Sequence, residues 1–232
     1  MPPVRKPILC YVTDRRAAVA GDERERAPGG QFSANSLNFV RSAIQNAAAA
    51  GVDWIQIREK DLAGHSLVDF TRLVIKDTVS LVNRIVINDR LDVALAANAA
   101  GIHLGENSLP LDAVAQWRHR CGRTDFQIGV SCHSLEAVRL ASRGGADYVF
   151  FGPVFATPSK AAFGTPQGIE QLREVCAAVE IPVLAIGGVT FENARTCLEA
   201  GAAGIAAIRL FQDATDTDRL AASVQSLVQA IG

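Results

Sequence analysis

From one end to the other the chain repeats a single alternation, a short apolar run followed by a longer amphipathic one. The apolar runs are Ile8–Thr13, Asp53–Ile57, Arg84–Asn88, Gly101–Gly105, Phe126–Val130, Asp147–Phe151, Pro182–Ile186 and Gly204–Ile208. Between them lie segments with helix start and stop signals. Ser36 opens one that Gly51 ends, a second runs from about Ser66 to Asn83, a third passes through Val93–Ala96, and Pro110 starts a fourth. Ser134 to Gly144, Gly168 to Val179, Thr190 to Gly201 and Asp218 to Ile231 complete the set. Strict alternation predicts a parallel sheet, because parallel neighbours need a crossover between them. Eight such units predict that the sheet closes, which makes the fold class α/β, a (β/α)8 TIM barrel, with residues 1–232 as a single domain. A doubly wound open sheet is the alternative, and the lack of a Gly-x-Gly-x-x-Gly after the first run weighs against it. The charged, Gly-rich stretch at about 14–35 is expected to form a mobile loop at the exit of the first strand.

Composition narrows the function classes. Hydrophobic residues make up 49% and aromatics only 6%, which suits buried parallel strands covered by Ala-rich helices. A formal net charge of −1 gives no electrostatic footprint for nucleic acid or an anionic membrane. No apolar run approaches the roughly 20 residues that span a bilayer. Cys10, Cys121, Cys132, Cys176 and Cys197 are scattered without a Cys-x-x-Cys pair, so reduced thiols and a cytoplasmic location are expected. A homo-oligomer is compatible with all of this.

Barrel enzymes place their chemistry where strands end, and the unusual polar residues fall there. Gln56, Arg58 and Lys60 occupy alternate positions of one extended segment and so share a face. Asn88-Asp89 follow strand three, where they could equally cap the next helix. His103 lies in strand four, where a core histidine is the plainer reading, and Glu106 follows it; Ser131 and His133 follow strand five. From Val149 the chain passes from an apolar strand into a loop bearing Thr157, Ser159 and Lys160, hydroxyl donors and a cation suited to phosphate. Gly187-Gly188 offers bare amides before a helix, and strand eight ends at Ile208-Arg209. Two anionic groups are implied. Arg58, Lys60 and Lys160 would surround one, with Gly188, Ile208 and Arg209 around the other. Asp89 is the expected ligand for a hard cation, Mg²⁺, which binds few carboxylates alongside substrate phosphates.

These residues sit in a wider pattern: Tyr-Val-Thr-Asp-Arg (11–15), Gln-Ile-Arg-Glu-Lys-Asp (56–61), Ile-Asn-Asp-Arg (87–90), Gly-Ile-His-Leu-Gly (101–105), Gly-Val-Ser (129–131), Gly-Pro-Val-Phe-Ala-Thr-Pro-Ser-Lys (152–160) and Ile-Gly-Gly-Val-Thr (186–190). The pattern resembles the thiamine phosphate synthase and thiazole tautomerase family across nearly the whole chain. The resemblance implies an enzyme that joins hydroxymethylpyrimidine pyrophosphate to a thiazole phosphate and releases pyrophosphate. It assigns Gln56, Arg58, Lys60, Asn88, Ser131 and Lys160 to the pyrimidine pyrophosphate, Thr157, Ser159 and Gly188 to the thiazole phosphate, and Asp89 to Mg²⁺. The implied mechanism is dissociative, with a pyrimidine carbocation captured by the thiazole nitrogen.

Two positions depart from the synthase pattern. Ser108 stands where synthases carry a second metal aspartate, so that Glu106 or Ser108 would have to complete the site. Arg209 stands where a small hydroxyl residue is usual. Both departures favour the alternative, a thiazole tautomerase acting by proton transfer through His133, while Lys60, Asn88-Asp89 and the Thr157–Lys160 loop favour the synthase. A non-catalytic protein that binds thiamine precursors is the remote third reading.

Overall fold

The computed structural model describes residues 6–19, 34–79, 84–157, 165–214 and 216–229. Among the described residues the strands are β1 (Ile8–Val12), β2 (Trp54–Ile57), β3 (Ile85–Asn88), β4 (Gly101–Leu104), β5 (Gln127–Cys132), β6 (Tyr148–Phe151), β7 (Val183–Ile186) and β8 (Gly204–Ala207). They form a closed barrel of parallel strands in sequence order, and β8 pairs back onto β1 through Ile8↔Gly204 and Cys10↔Ala206. Around it run α1 (Arg15–Val19), α2 (Ala34–Ala49), α3 (Gly64–Asp77), α4 (Leu91–Ala96), α5 (Leu111–Arg120), α6 (Leu135–Arg143), α7 (Gly168–Ala178), α8 (Phe191–Glu199), α9 (Arg209–Gln212) and α10 (Thr217–Gln229).

The barrel expected from the alternation is the barrel observed, with local differences. The 14–35 stretch expected as a loop begins with helix α1, and its residues 20–33 lie outside the described residues. Helix α3 ends at Asp77, short of Asn83, because the β-branched Thr78 leaves helical geometry and its hydroxyl donates to the Val74 carbonyl at 2.7 Å. The caps at Ser134 and Thr190 are as expected. Ser134 accepts from the Ala137 amide at 3.1 Å, and Thr190 forms a reciprocal capping box with Asn193. Helix α9 has no counterpart in the expected pattern; at four residues it is too short to show a period. The five cysteines are free thiols, and no helix among the described residues is long and apolar enough to cross a membrane.

Strand residues alternate between two apolar layers. Leu9, Tyr11, Ile55, Ile57, Ile85, Ile87 and Ile102 pack outward with the helices in the larger cluster. Cys10, Val12, Tyr148, Phe150, Leu184 and Ala206 fill the barrel interior, with Trp54, Ile186 and Ile208 against them. Aromatic rings do much of the filling: Trp54 meets Tyr148 edge-on at 4.7 Å, and the Phe150 ring lies 4.2 Å from the imidazole of His103. Gly129 makes this possible. In register it stands between His103 on β4 and Tyr148 on β6, so the two side chains meet across a position without one. A Cβ there would run into the Tyr148 ring and come within 2.6 Å of His103 Nδ1. Gly129→Ala is therefore expected to destabilise the fold by roughly 1–3 kcal/mol, the usual cost of overpacking, read as a lower urea midpoint.

Candidate active site

The C-terminal rim is built strand by strand. At the end of β2, Gln56 is 2% exposed and donates through Nε2 to Asn88 Oδ1 at 2.9 Å, while its own Oε1 is buried without a partner. Asn88 in turn donates to Asp89 Oδ2 at 2.7 Å. Asp89 has φ 63°, a left-handed conformation that Asp tolerates better than most residues. Its amide donates to the His103 carbonyl at 2.9 Å, which holds the turn against β4. Neither Asn88 nor Asp89 caps α4: the cap is Arg90, with no side-chain hydrogen bond. Both side chains are thereby left to the rim. The Ser108 hydroxyl donates to Asp89 Oδ1 and accepts from the Gly105 amide at 2.6 Å. Lys60, Asn88, Asp89 and Arg90 line one cavity of about 210 Å³. A larger hollow of about 440 Å³ lies on the outer helical layer between α8 and α10, lined by Phe191, Arg195, Arg219 and Leu227, and contains none of the rim residues.

The charged run Arg58–Asp61 mixes buried and exposed side chains. Glu59, 3% exposed, accepts from the Thr13 hydroxyl at 2.7 Å and pairs with Arg15 at 3.2 Å. Burial pushes its carboxyl up, and the Thr13 and Arg15 contacts oppose that shift. Arg15 also pairs with Asp61 at 2.7 Å. Arg58, just past the end of β2, is half-buried, and Lys60 lies exposed in the turn that follows, on the same cavity that Glu59 helps to line. Arg58 pairs with Asp14 at 3.2 Å, and its amide donates to Thr13 at 3.0 Å. Asp14 is held from β8: Gln212 of α9 accepts from its amide at 3.1 Å, donates to its carbonyl at 2.8 Å and accepts from the Tyr11 hydroxyl at 2.9 Å. The exits of β1, β2 and β8 are thus tied together.

His103 is a buried histidine with both ring nitrogens occupied, Nδ1 by the Tyr148 hydroxyl at 3.2 Å and Nε2 by Ser131 Oγ at 2.9 Å. Burial pushes its imidazole down to about 3, with the Asp89 carboxylate opposing. His133, half-buried, is oriented by a hydrogen bond from Nδ1 to the Gly152 carbonyl, and its Nε2 lies 3.7 Å from Glu106. Glu106 therefore faces His133, and Ser108 is the residue that touches Asp89. At the far side of the rim, Gly187 (φ 92°) and Gly188 (φ 66°) bring the exits of β6 and β7 together; a Cβ on Gly188 would lie 2.6 Å from the Ala156 carbonyl oxygen. Thr157 is half-buried beside them, whereas Ser159 and Lys160 lie outside the described residues. Ile208 is the residue before α9, and Arg209 is exposed in that helix.

Residues 32–211 match the family model for thiamine monophosphate synthase. The chain belongs to the thiamine monophosphate synthase family. It is 39% identical over 190 residues to the thiamine-phosphate synthase of Coprothermobacter proteolyticus, covering 82% of this chain and 87% of that one. It is 36% identical over 216 residues to the thiamine-phosphate synthase of Roseiflexus castenholzii, covering 93% and 86% respectively. Among solved structures, the thiamine phosphate pyrophosphorylase of Pyrococcus furiosus superposes with a TM-score of 0.77 at 29% identity, covering 97% of each chain.

Sequence reasoning for this family member overlooked Tyr148, Thr13, Glu59 and Gln212. Tyr148 had a signal: it is a phenol at an inward position of an otherwise apolar strand, where its hydroxyl needs a partner. Gln212 had none, because its role depends on a four-residue helix.

The burial of His103 has a consequence for acid stability. Its imidazole stays neutral in the folded protein, whereas in the unfolded chain it takes up a proton below its ordinary 6.5. The unfolded state then binds the extra proton, so the stability contribution is complete above pH 6.5 and is lost as pH falls toward 3. Between those limits the wild type should lose up to about 1.4 kcal/mol per pH unit more than His103→Gln. Urea unfolding of both proteins across that range measures the difference.

Proposed function

We propose that the chain is a thiamine-phosphate synthase that transfers a pyrimidinylmethyl group from hydroxymethylpyrimidine pyrophosphate to the nitrogen of a thiazole phosphate, releasing pyrophosphate. The observation that carries this reading is Gln56 Oε1, a buried acceptor with no partner among the described residues, on a side chain bonded to Asn88 of the Lys60–Asp89 cavity. Leaving such an oxygen unpaired costs about 1–3 kcal/mol, a cost that a bound ligand N–H would remove. A pyrimidine N–H fits that acceptor, and the pyrophosphate arm would then reach the cavity lined by Lys60, Asn88 and Asp89.

The reaction asks little covalent chemistry of the protein. The bond between the pyrimidinylmethyl carbon and the pyrophosphate oxygen breaks, and its electrons leave with pyrophosphate. The resulting carbocation is captured by the thiazole nitrogen lone pair. Lys60 would donate to the departing oxygens, with Arg58 and Lys160 adding positive charge around them. Ser131 would contact the same substrate. Thr157 and Ser159 after β6 would hold the thiazole phosphate together with Gly188, Ile208 and Arg209, which lie at the β7 and β8 exits and the short extra helix where barrels commonly bind phosphate. Arg209 brings a bidentate cation to that subsite.

Among the described residues no three His, Cys, Asp or Glu side chains converge on a metal position. The donor set at Asp89 nevertheless fits Mg²⁺ carried chiefly by substrate phosphates, since one or two carboxylates suffice in such sites. Asp89 would be the protein ligand, with the Ser108 hydroxyl and the Asn88 amide orienting its carboxylate. Bound there, Mg²⁺ would offset the charge gathering on pyrophosphate.

The test is turnover of both substrates by purified protein, with Mg²⁺ or with EDTA. Metal-dependent release of pyrophosphate together with thiamine phosphate is expected, and Lys60→Ala should lower kcat/KM by about 10²–10³-fold. Metal-independent proton exchange on a thiazole carboxylate phosphate, abolished by His133→Ala and without pyrophosphate release, would replace the synthase with the tautomerase.

A further inference from the structure

We propose that Tyr148 and His103 are positioning residues that form a one-way hydrogen-bond relay, making Ser131 a fixed donor to the pyrimidine pyrophosphate. The identity of that ligand rests on the synthase reading; the relay itself rests on geometry.

The chain of contacts runs from the barrel interior to the rim. Tyr148, 1% exposed, reaches His103 Nδ1 at 3.2 Å, and His103, also 1% exposed, reaches Ser131 Oγ from Nε2 at 2.9 Å. Phe150 packs on the imidazole with ring centroids 4.2 Å apart, and the missing side chain at Gly129 lets Tyr148 meet it. The ring therefore has little room to turn.

Direction follows from the phenol. Among the described residues His103 Nδ1 is the hydrogen-bond partner of the Tyr148 hydroxyl. A buried O–H without an acceptor is costly, so the phenol donates and Nδ1 accepts. The ring proton is then on Nε2, and Nε2–H donates to Ser131 Oγ. Having accepted from the interior, the half-buried Ser131 turns its own O–H toward the rim. The opposite tautomer would strand the phenol proton and make His103 a base for Ser131, the arrangement of an activated nucleophile. The relay excludes that role and presents a donor to an anionic oxygen at no orientational cost.

Nitrogen-15 spectra of histidine-labelled full-length protein at neutral pH test the direction. His65, His119 and His133 can be assigned by substitution, leaving His103 by elimination. The expected result is a neutral His103 ring protonated at Nε2, with Nδ1 as the lone-pair nitrogen. Protonation at Nδ1 would overturn the proposal. Kinetics test the purpose. Tyr148→Phe, which removes only the hydroxyl, should lower kcat about tenfold, and combined with Ser131→Ala it should cost no more than Ser131→Ala alone. Additive losses would mean that Tyr148 acts only on packing and would overturn the relay. A wild-type protein without synthase turnover would count against the synthase reading, and the spectra would still decide the relay.

Discussion

Closing eight parallel strands leaves no sheet edge, but it creates an interior that side chains must fill completely. Here the filling is aromatic: Trp54, Tyr148 and Phe150 pack edge-on and tilted through the interior, and His103 lies against them. This filling demands glycine at 129, because a ring cannot cross a barrel of this width if every strand carries a side chain at that level. The polar groups that belong to the interior are few, and each leads upward. Tyr148 leads to His103, His103 to Ser131, and Gln56 to Asn88 and Asp89. The rim is thus organised from its floor.

A second constraint acts from the side. Charged residues at a strand exit have long side chains with much rotamer freedom, and fixing them costs entropy. The structure fixes the backbone instead. Glu59 is drawn inward by Thr13 and Arg15, which holds the backbone that carries Arg58 and Lys60 on either side of it. Gln212 performs the same service for Asp14, which pairs with Arg58. The cations for one anion and the short helix at the other anion's expected subsite are therefore joined through a few buried hydrogen bonds. A change at Gln212 or Tyr11 would be felt on both sides of the rim.

Much of this could be read from the residues alone. Alternation revealed the eight units, because buried parallel strands are apolar on both faces and their connecting helices are not. Gln56, Lys60, Asn88 and Asp89 were visible as polar residues at strand ends, and the structure brings them to one cavity or its edge. His103 was read chiefly as a core histidine, and it is one, but its contact with Ser131 joins β4 to β5 over a sequence gap that no local pattern reports. Glu59 carries no signal of its burial, since nothing local distinguishes an inward carboxylate from an outward one. Glu106 and Ser108, both considered as stand-ins for a metal aspartate, separate in space: one faces His133 and the other Asp89.

The structure of the complex with a pyrimidine pyrophosphate analogue, thiazole phosphate and Mg²⁺ tests the central claim most directly. The account predicts a pyrimidine N–H on Gln56 Oε1, phosphate oxygens at Lys60, and the cation between those oxygens and Asp89. A pyrimidine bound elsewhere, with Gln56 Oε1 still unpaired and Lys60 in solvent, would contradict it.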